Sequence, residues 1–460
     1  MGTDWQELLG RTGQIAAQYV TADEQRPVAH RIGMTELLDA LGGPLPHEGS
    51  DPLAVIEDLA QAAEPGLVRT NAGRYFGFVE GGVLPASLAA DWLASAWDQN
   101  AAYFALSPAA AATEEVCRGW LSDLLGLPDT VSAGFTTGAQ TANVIGLAAA
   151  RHRVLADAGW DVDAEGLFGA PRLSVLVGAE RHATIDRALR FLGLGSNSIV
   201  EIPADEHGRI RTEHLADALA ARTTEPVIVC AQVGNVNTGA CDPMQVICDL
   251  AHRYGAWVHV DGAFGLWAGA SASTRHLVDG VAAADSWATD AHKWLNVPYD
   301  SGIAFCAHPE SHRAAMTLSA SYLARTGDRD GADWTPESSR RARAFAVWAA
   351  LRSLGRSGVA DMVDTSCAQA RRIARTLAAD EDVEILNDVV LNQVLARVGG
   401  DDDRTRGVAA AVQAEGSTWL GTTVRNGVTA LRISVSDHAT NDEDVRVVTD
   451  AVLRAVHSAH

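Results

Sequence analysis

From Ala133 to Ala307 the chain repeats one pattern: a short apolar run, a polar or glycine-containing turn, then a helical stretch. The runs Leu173 to Val177, Ser198 to Ile202, Val227 to Gln232 and Trp257 to Val260 alternate with helical patterns at Ala142 to Ala156, Glu213 to Ala221 and Pro243 to Tyr254. Strands that are apolar throughout and separated by helices belong in a mostly parallel sheet covered on both faces. A further apolar run, Ile303 to Ala307, closes the series.

The flanks read differently. Residues 1 to about 65 are amphipathic helices broken by Gly42, Gly43, Pro44 and Pro46, with too little apolar surface to stand alone. They are expected to pack on a larger body or on a partner subunit. Arg74 to Gly82 reads as a short aromatic strand ending in glycines, followed by helices at Ala86 to Ala102 and Thr113 to Leu125. Ser319 to Ser339 is rich in Gly, Asp and Arg and is expected to be a mobile surface loop. A helix from Arg340 to Leu354 then leads to a smaller α+β portion with strands at Val383 to Leu386, Val390 to Val398 and Ala430 to Val435. The expected division is residues 1–84 helical, 85–345 a large α/β domain and 346–460 a small α+β domain.

A formal charge of −22 and a pI near 5.0 argue against nucleic acid or an anionic membrane as the main partner. No window reaches the length of a membrane span. The cysteines at 117, 230, 241, 248, 306 and 367 have no metal-ligand spacing, so buried free thiols and a reducing cytoplasm are expected.

Lys293 is the chain's one lysine among 36 basic residues. A desolvated lysine can lose its proton and form a Schiff base with an aldehyde, which a guanidinium cannot. His292 precedes it, and its surroundings favour a buried amine over a surface turn. Thr136 to Thr141 lies between a strand and a helix, where backbone N–H groups and the helix dipole can hold a phosphate, although a packing turn would look the same. His182 follows a strand at its carboxyl end, where open α/β sheets bind ligands; a loop histidine without a role is the alternative. Asp261 ends the strand at Trp257, with Gly262 and Ala263 leaving room for a ring, or else it caps the next turn. One ligand accounts for all four. Pyridoxal 5'-phosphate would place its aldehyde at Lys293, its pyridinium nitrogen at Asp261, its ring face at His182 and its phosphate at the 136–141 turn.

The ordered set Tyr75 to Phe78, Ser107-Pro108 with Glu114 and Glu115, Gly134 to Asn143, His182 to Thr184, His259 to Ala263 and Asp290 to Trp294 resembles the group II amino-acid decarboxylases. That pyridoxal-phosphate-dependent family includes the aromatic-amino-acid and glutamate decarboxylases, and the similarity runs from about Tyr75 to the end. It implies fold type I, the aspartate aminotransferase-like architecture, and decarboxylation of an L-amino acid to its amine and carbon dioxide. The same scaffold also carries aldehyde synthases and other carbon–carbon lyases or aldolases, and a non-catalytic cofactor-binding protein is the rival outside catalysis. The resemblance places catalysis on Lys293, His182, Asp261, His292 and Tyr322. It adds Ala139, Gln140, Thr141, Thr184, Ala263 and Asp290 to the cofactor's surroundings. Tyr322, in the expected loop, would return a proton to the substrate α-carbon, and an exposed tyrosine of no consequence is the alternative. A homodimer with a shared active site is implied as well. Gly77, Asn100, Ala102 and Asp290 depart from the aromatic-specific members, which leaves the substrate side chain open. Arg432 is either a carboxylate-binding residue or a salt-bridged structural one.

Overall fold

The computed structural model describes residues 4–22, 26–30, 32–317 and 327–458. The early helices are α1 (Trp5–Val20), α2 (Met34–Leu41), α3 (Pro52–Ala63), α4 (Pro85–Trp97), α5 (Pro108–Leu125) and α6 (Ala139–Asp157). Their limits have local causes. Ser107 caps α5 through its hydroxyl, Pro108 occupies the first turn, and Gly126 ends the helix at φ 72°. Helices α1, α2 and α3 bury none of their residues and leave Trp5, Met34, Leu38 and Leu59 exposed.

The main sheet has seven strands: β1 (Ser132–Thr136), β2 (Ser174–Gly178), β3 (Ile199–Ile202), β4 (Val227–Gln232), β5 (Trp257–Asp261), β6 (Ser286–Asp290) and β7 (Gly302–Cys306). Their spatial order is β1-β7-β6-β5-β4-β2-β3, with only β7 antiparallel to its neighbours. Strands β1, β5, β6 and β7 are buried along their whole length, as helices on both faces require. Because the remaining strands run parallel, Thr136, Gly178, Gln232, Asp261 and Asp290 all end at one edge. Gly302, pairing with both Thr136 and Asp290, begins there.

A second, antiparallel sheet is built from β8 (Val383–Ile385), β9 (Gln393–Val398), β10 (Gly421–Arg425) and β11 (Val428–Ser434), in the order β10-β11-β9-β8. It has its own hydrophobic core, which includes Val394, Leu431 and Val452. The helix Ala344–Leu377 joins the two bodies. Val347 and Val359 pack in the first core, Ile373 and Leu377 in the second, and a break at Gly355 (φ 62°) separates its parts. Strand β10 escaped the sequence pattern because its alternation rests on threonines rather than apolar residues.

Two expectations need correction. Arg74 to Gly82 is not a strand: Tyr75 makes a single bridge to Trp419, and Phe78 and Val79 turn through positive φ. Residues 329–335 of the expected surface loop run through the interior, while 327, 328, 336, 338 and 339 are exposed. Asp330, Ala332, Asp333 and Thr335 are buried, and Arg329 and Arg340 both pair with the buried Glu114, at 3.2 and 2.6 Å. Arg340 also donates to the backbone carbonyls of Ala101 and Phe135. The arginines that made this stretch look solvated are used to satisfy a buried carboxylate. Residues 318–326, with Tyr322, lie outside the described residues.

Candidate active site

The converging strand ends enclose a cavity of about 330 Å³, within the size range of small-molecule sites. Asp261 stands at the end of β5, 5% exposed. Its Oδ1 accepts from the Ala263 amide at 3.2 Å, and its Oδ2 from the Asn143 amide at 3.3 Å and the Thr184 hydroxyl at 3.5 Å. His182 caps the helix Ala183–Phe191, its Nδ1 lying 3.3 Å from the Thr184 N–H and 2.8 Å from the Thr184 hydroxyl. Its ring is reachable from the cavity mouth, yet the protein packed around it lowers its pKa. The Asp261 carboxylate opposes that fall, while Lys293 and Arg432 add to it. The imidazole is therefore uncharged at neutral pH and free to lie against a ring.

Lys293 sits in the tight connection between β6 and β7. Its Nζ lies 3.0 Å from Asp290 Oδ2, and Asp290 Oδ1 accepts the Ala139 amide at 2.5 Å. One carboxylate thus ties the lysine to the amino end of α6. His292 accepts the Ser301 N–H at Nδ1, stacks near Tyr299 with ring centroids 4.4 Å apart, and has its pKa lowered by burial. Asn296 braces the connection: its Oδ1 accepts the amides of Gly82 and His438, and its Nδ2 donates to the carbonyls of Trp294 and Ser436. Gly81 lies directly on the Lys293 carbonyl, where a Cβ would collide.

The 136–141 turn packs so closely on β7 that a Cβ on Gly302 would strike the Gly138 backbone. The N-cap of α6, Gly138, contributes no side chain, so the helix end opens to the cavity through Thr137, Gly138, Ala139 and Gln140. Gln140 donates to the Thr184 carbonyl, and its buried Oε1 has no partner. Thr141 is not on the wall; its hydroxyl lies 3.0 Å from that of Thr137 and holds it in place.

The other expected residues, Ala139, Gln140, His182, Thr184, Asp261, Ala263, Asp290, His292 and Lys293, line this one cavity. Sequence reasoning missed Phe78, Gln232 and Phe264 on its wall, and Asn296 behind it. Phe78 and Tyr75 both stack on Trp419, at 5.2 and 5.1 Å, and Gly77 fits only because it lacks a Cβ that would meet that indole. Asn100 and Ala102 lie elsewhere, under the 330–340 segment. Arg432, on β11, is half-buried, has its pKa lowered by that burial, and forms no ion pair among the described residues. The described residues contain no group of three or more His, Cys, Asp or Glu able to hold a metal ion, and no helix long and apolar enough to cross a membrane.

The donor set fits pyridoxal 5'-phosphate. An amine able to hold an aldehyde, a strand-end carboxylate and an open helix amino end face one enclosed volume, with an unpartnered amide oxygen beside it. Fold and site define a fold-type-I pyridoxal-phosphate enzyme. The comparisons with known proteins narrow the class. The family described as "Pyridoxal-dependent decarboxylase conserved domain" matches residues 36–398, and the chain belongs to that family of amino-acid decarboxylases. An aromatic-L-amino-acid decarboxylase from Bacillus atrophaeus is 25% identical over 442 residues, covering 92% of this chain and 90% of the relative. A 4-hydroxyphenylacetaldehyde synthase from Rhodiola rosea is also 25% identical, covering 93% and 90%. Among solved structures, Oryza sativa TDC with PLP and tryptamine superimposes with a TM-score of 0.93 at 24% identity, over 99% of this chain and 98% of that one.

Proposed function

We propose that this enzyme decarboxylates an L-amino acid to the amine, with Lys293, Asp261, His182 and Tyr322 as its working residues. The observation that carries the reading is the meeting of the chain's one lysine and the Asp261 carboxylate in one cavity. Bound pyridoxal 5'-phosphate supplies an aldehyde that condenses with amines and a ring that accepts the electron pair left when carbon dioxide departs. Lys293 would hold the aldehyde carbon, Asp261 the ring nitrogen, and the α6 amino end with Thr137 and Gln140 the phosphate. His182 presents an uncharged face to the ring. Arg432, charged and without an ion pair among the described residues, binds the substrate α-carboxylate and sets the bond to be broken. Tyr322 gives its phenolic proton to the substrate α-carbon. Phe78, on the cavity wall and backed by Trp419, suits an aromatic or other bulky apolar side chain.

The partner is a second copy of the chain, and the active site is shared between the two. The apolar faces that α1, α2 and α3 leave exposed support this, because a partner would cover them. Six buried free cysteines fit a cytoplasmic setting. The division at residues 84 and 345 is proposed for the three parts; the antiparallel sheet of the last has its own core, and the first half of its leading helix packs in the core of the large domain.

The test is product analysis of Tyr322→Phe. Removing the proton lowers amine formation about 100-fold or more, while substrate still binds and carbon dioxide is still released. The remaining turnover goes to aldehyde with oxygen consumed. Amine made at the wild-type rate without oxygen uptake contradicts the role of Tyr322.

A further inference from the structure

Behind Asp261 the wall of the site is polar and sealed. Along β5, Trp257, His259 and Asp261 share one face, while Val258 and Val260 turn to the core on the other. His259 lies opposite Ser286 in the β5–β6 register, and Asn143 reaches both His259 and Asp261 from α6. His259, Ser286 and Asn143 are each 0% exposed. Gly146 on α6 makes the space, since a Cβ there would fall 2.6 Å from the imidazole.

The contacts form an unbroken line. Trp257 Nε1 donates to Ser286 Oγ at 2.9 Å. That hydroxyl lies 2.8 Å from His259 Nδ1, and His259 Nε2 lies 2.9 Å from Asn143 Oδ1. Asn143 Nδ2 then reaches Asp261 Oδ2 at 3.3 Å. The two ends set the polarity. The Asp261 carboxylate only accepts, so Asn143 turns its amide hydrogens to it and its Oδ1 to His259 Nε2, which must then donate. The neutral ring accepts at Nδ1 from the Ser286 hydroxyl, whose oxygen in turn accepts the indole N–H of Trp257. Every bond points toward Asp261, and such chains strengthen one another in a low-dielectric interior. Burial lowers the His259 pKa to about 3, so the ring stays neutral and transmits orientation rather than a proton.

We propose that Trp257, Ser286, His259 and Asn143 form a directional donor chain that orients Asp261 and stabilises its carboxylate opposite the ring nitrogen of the cofactor. His259 and Asn143 are positioning residues, and the proposal rests on the reading of Asp261 given above. It commits Oδ2 to the chain and leaves the remaining lone pairs of the carboxylate for the ligand. Other groups acting on Asp261 are Thr184 and the Ala263 amide, both by hydrogen bond, and His182 and Lys293 are titratable groups of the same cavity.

The test compares His259→Leu, His259→Gln, Ser286→Ala and Asp261→Asn. Three quantities are read: the dissociation constant for pyridoxal 5'-phosphate from apoenzyme titration, the pH profile of the bound cofactor's visible absorbance, and the unfolding midpoint of the apoenzyme. Losing a donor in line with a charged group weakens cofactor binding about ten-fold in His259→Leu and displaces the absorbance profile. The glutamine amide can stand in for Nε2–H, so His259→Gln stays within about threefold of wild type. Ser286→Ala moves both quantities the same way, by less. If His259→Leu matches wild type in both while Asp261→Asn changes them, the chain is idle although the reading of Asp261 stands. If Asp261→Asn is silent too, that reading fails and takes the proposal with it. Equal losses in His259→Leu and His259→Gln, tracking lowered unfolding midpoints, would reduce the chain to packing and overturn it. Should His259→Leu not fold, Ser286→Ala decides: an unchanged constant and profile overturn the proposal.

Discussion

At the scale of single residues, the chemistry follows from scarcity and position. Arginine serves every other basic position, so the one retained lysine marks the place where a removable proton is needed. Borohydride reduction of the purified holoenzyme is expected to fix the pyridoxyl label in the single peptide holding Lys293, with none in Lys293→Ala. Mass spectrometry locates it, and label elsewhere would contradict the assignment. Asp261 was legible for a related reason: an acid at the end of an apolar strand has few structural uses. Phe78, Gln232 and Asn296 were not legible. Their types are common, and only the packing of distant segments brings them to the cavity or its supports.

At the scale of elements, the connection between β6 and β7 is held by contacts from far along the chain. Gly81 presses on the Lys293 carbonyl, and Asn296 joins Gly82 to His438. Gly81→Ala inserts a methyl where no space exists, at a strain of about 1–3 kcal/mol. That strain is expected to fall on the lysine connection, weakening cofactor binding by about ten-fold or more, as read by titration of the apoenzyme. The element boundaries explain one failure of sequence reading. The glycines and aromatics of residues 74–82 look like a strand by composition, but they form a turn shaped by Trp419 and Lys293. Their small size answers to those neighbours rather than to a pleat.

At the scale of the whole molecule, buried histidines oppose folding in acid, and the exposed helices are proposed to hold two copies together. His312 is wholly buried, with Nε2 3.0 Å from the Trp334 carbonyl and Nδ1 2.8 Å from the Ser132 hydroxyl. Burial lowers its pKa from 6.5 to about 4. Below pH 6.5 the unfolded chain takes up a proton that the folded one refuses, so stability falls by about 1.4 kcal/mol per pH unit until pH 4. Asp242, raised to about 6 by burial, acts in the opposite sense, so the informative quantity is a difference. Wild type is expected to lose denaturation midpoint between pH 6.5 and 4 faster than His312→Gln does; parallel curves would refute this. Removing residues 1–66 takes away α1, α2 and α3 and is expected to leave a monomer in sedimentation equilibrium. A dimer that survives the deletion would show that these helices do not hold the two copies together.

The alternating apolar runs were enough to specify a mostly parallel sheet, because no other arrangement covers both faces of such strands. That choice also places a ligand at their carboxyl ends. Lys293, Asp261, His182 and the 136–141 turn follow from it, since each is local to a strand end. The tertiary structure alone decided what surrounds them. Glu114 draws Arg329 and Arg340 inward, so a stretch that composition marks as solvated is buried. The stacking of Tyr75 and Phe78 on Trp419, and the line from Trp257 to Asp261, join residues that no local periodicity relates. A hydrogen bond or a ring contact depends on distance and direction in space, and the sequence records neither until the sheets and helices have packed.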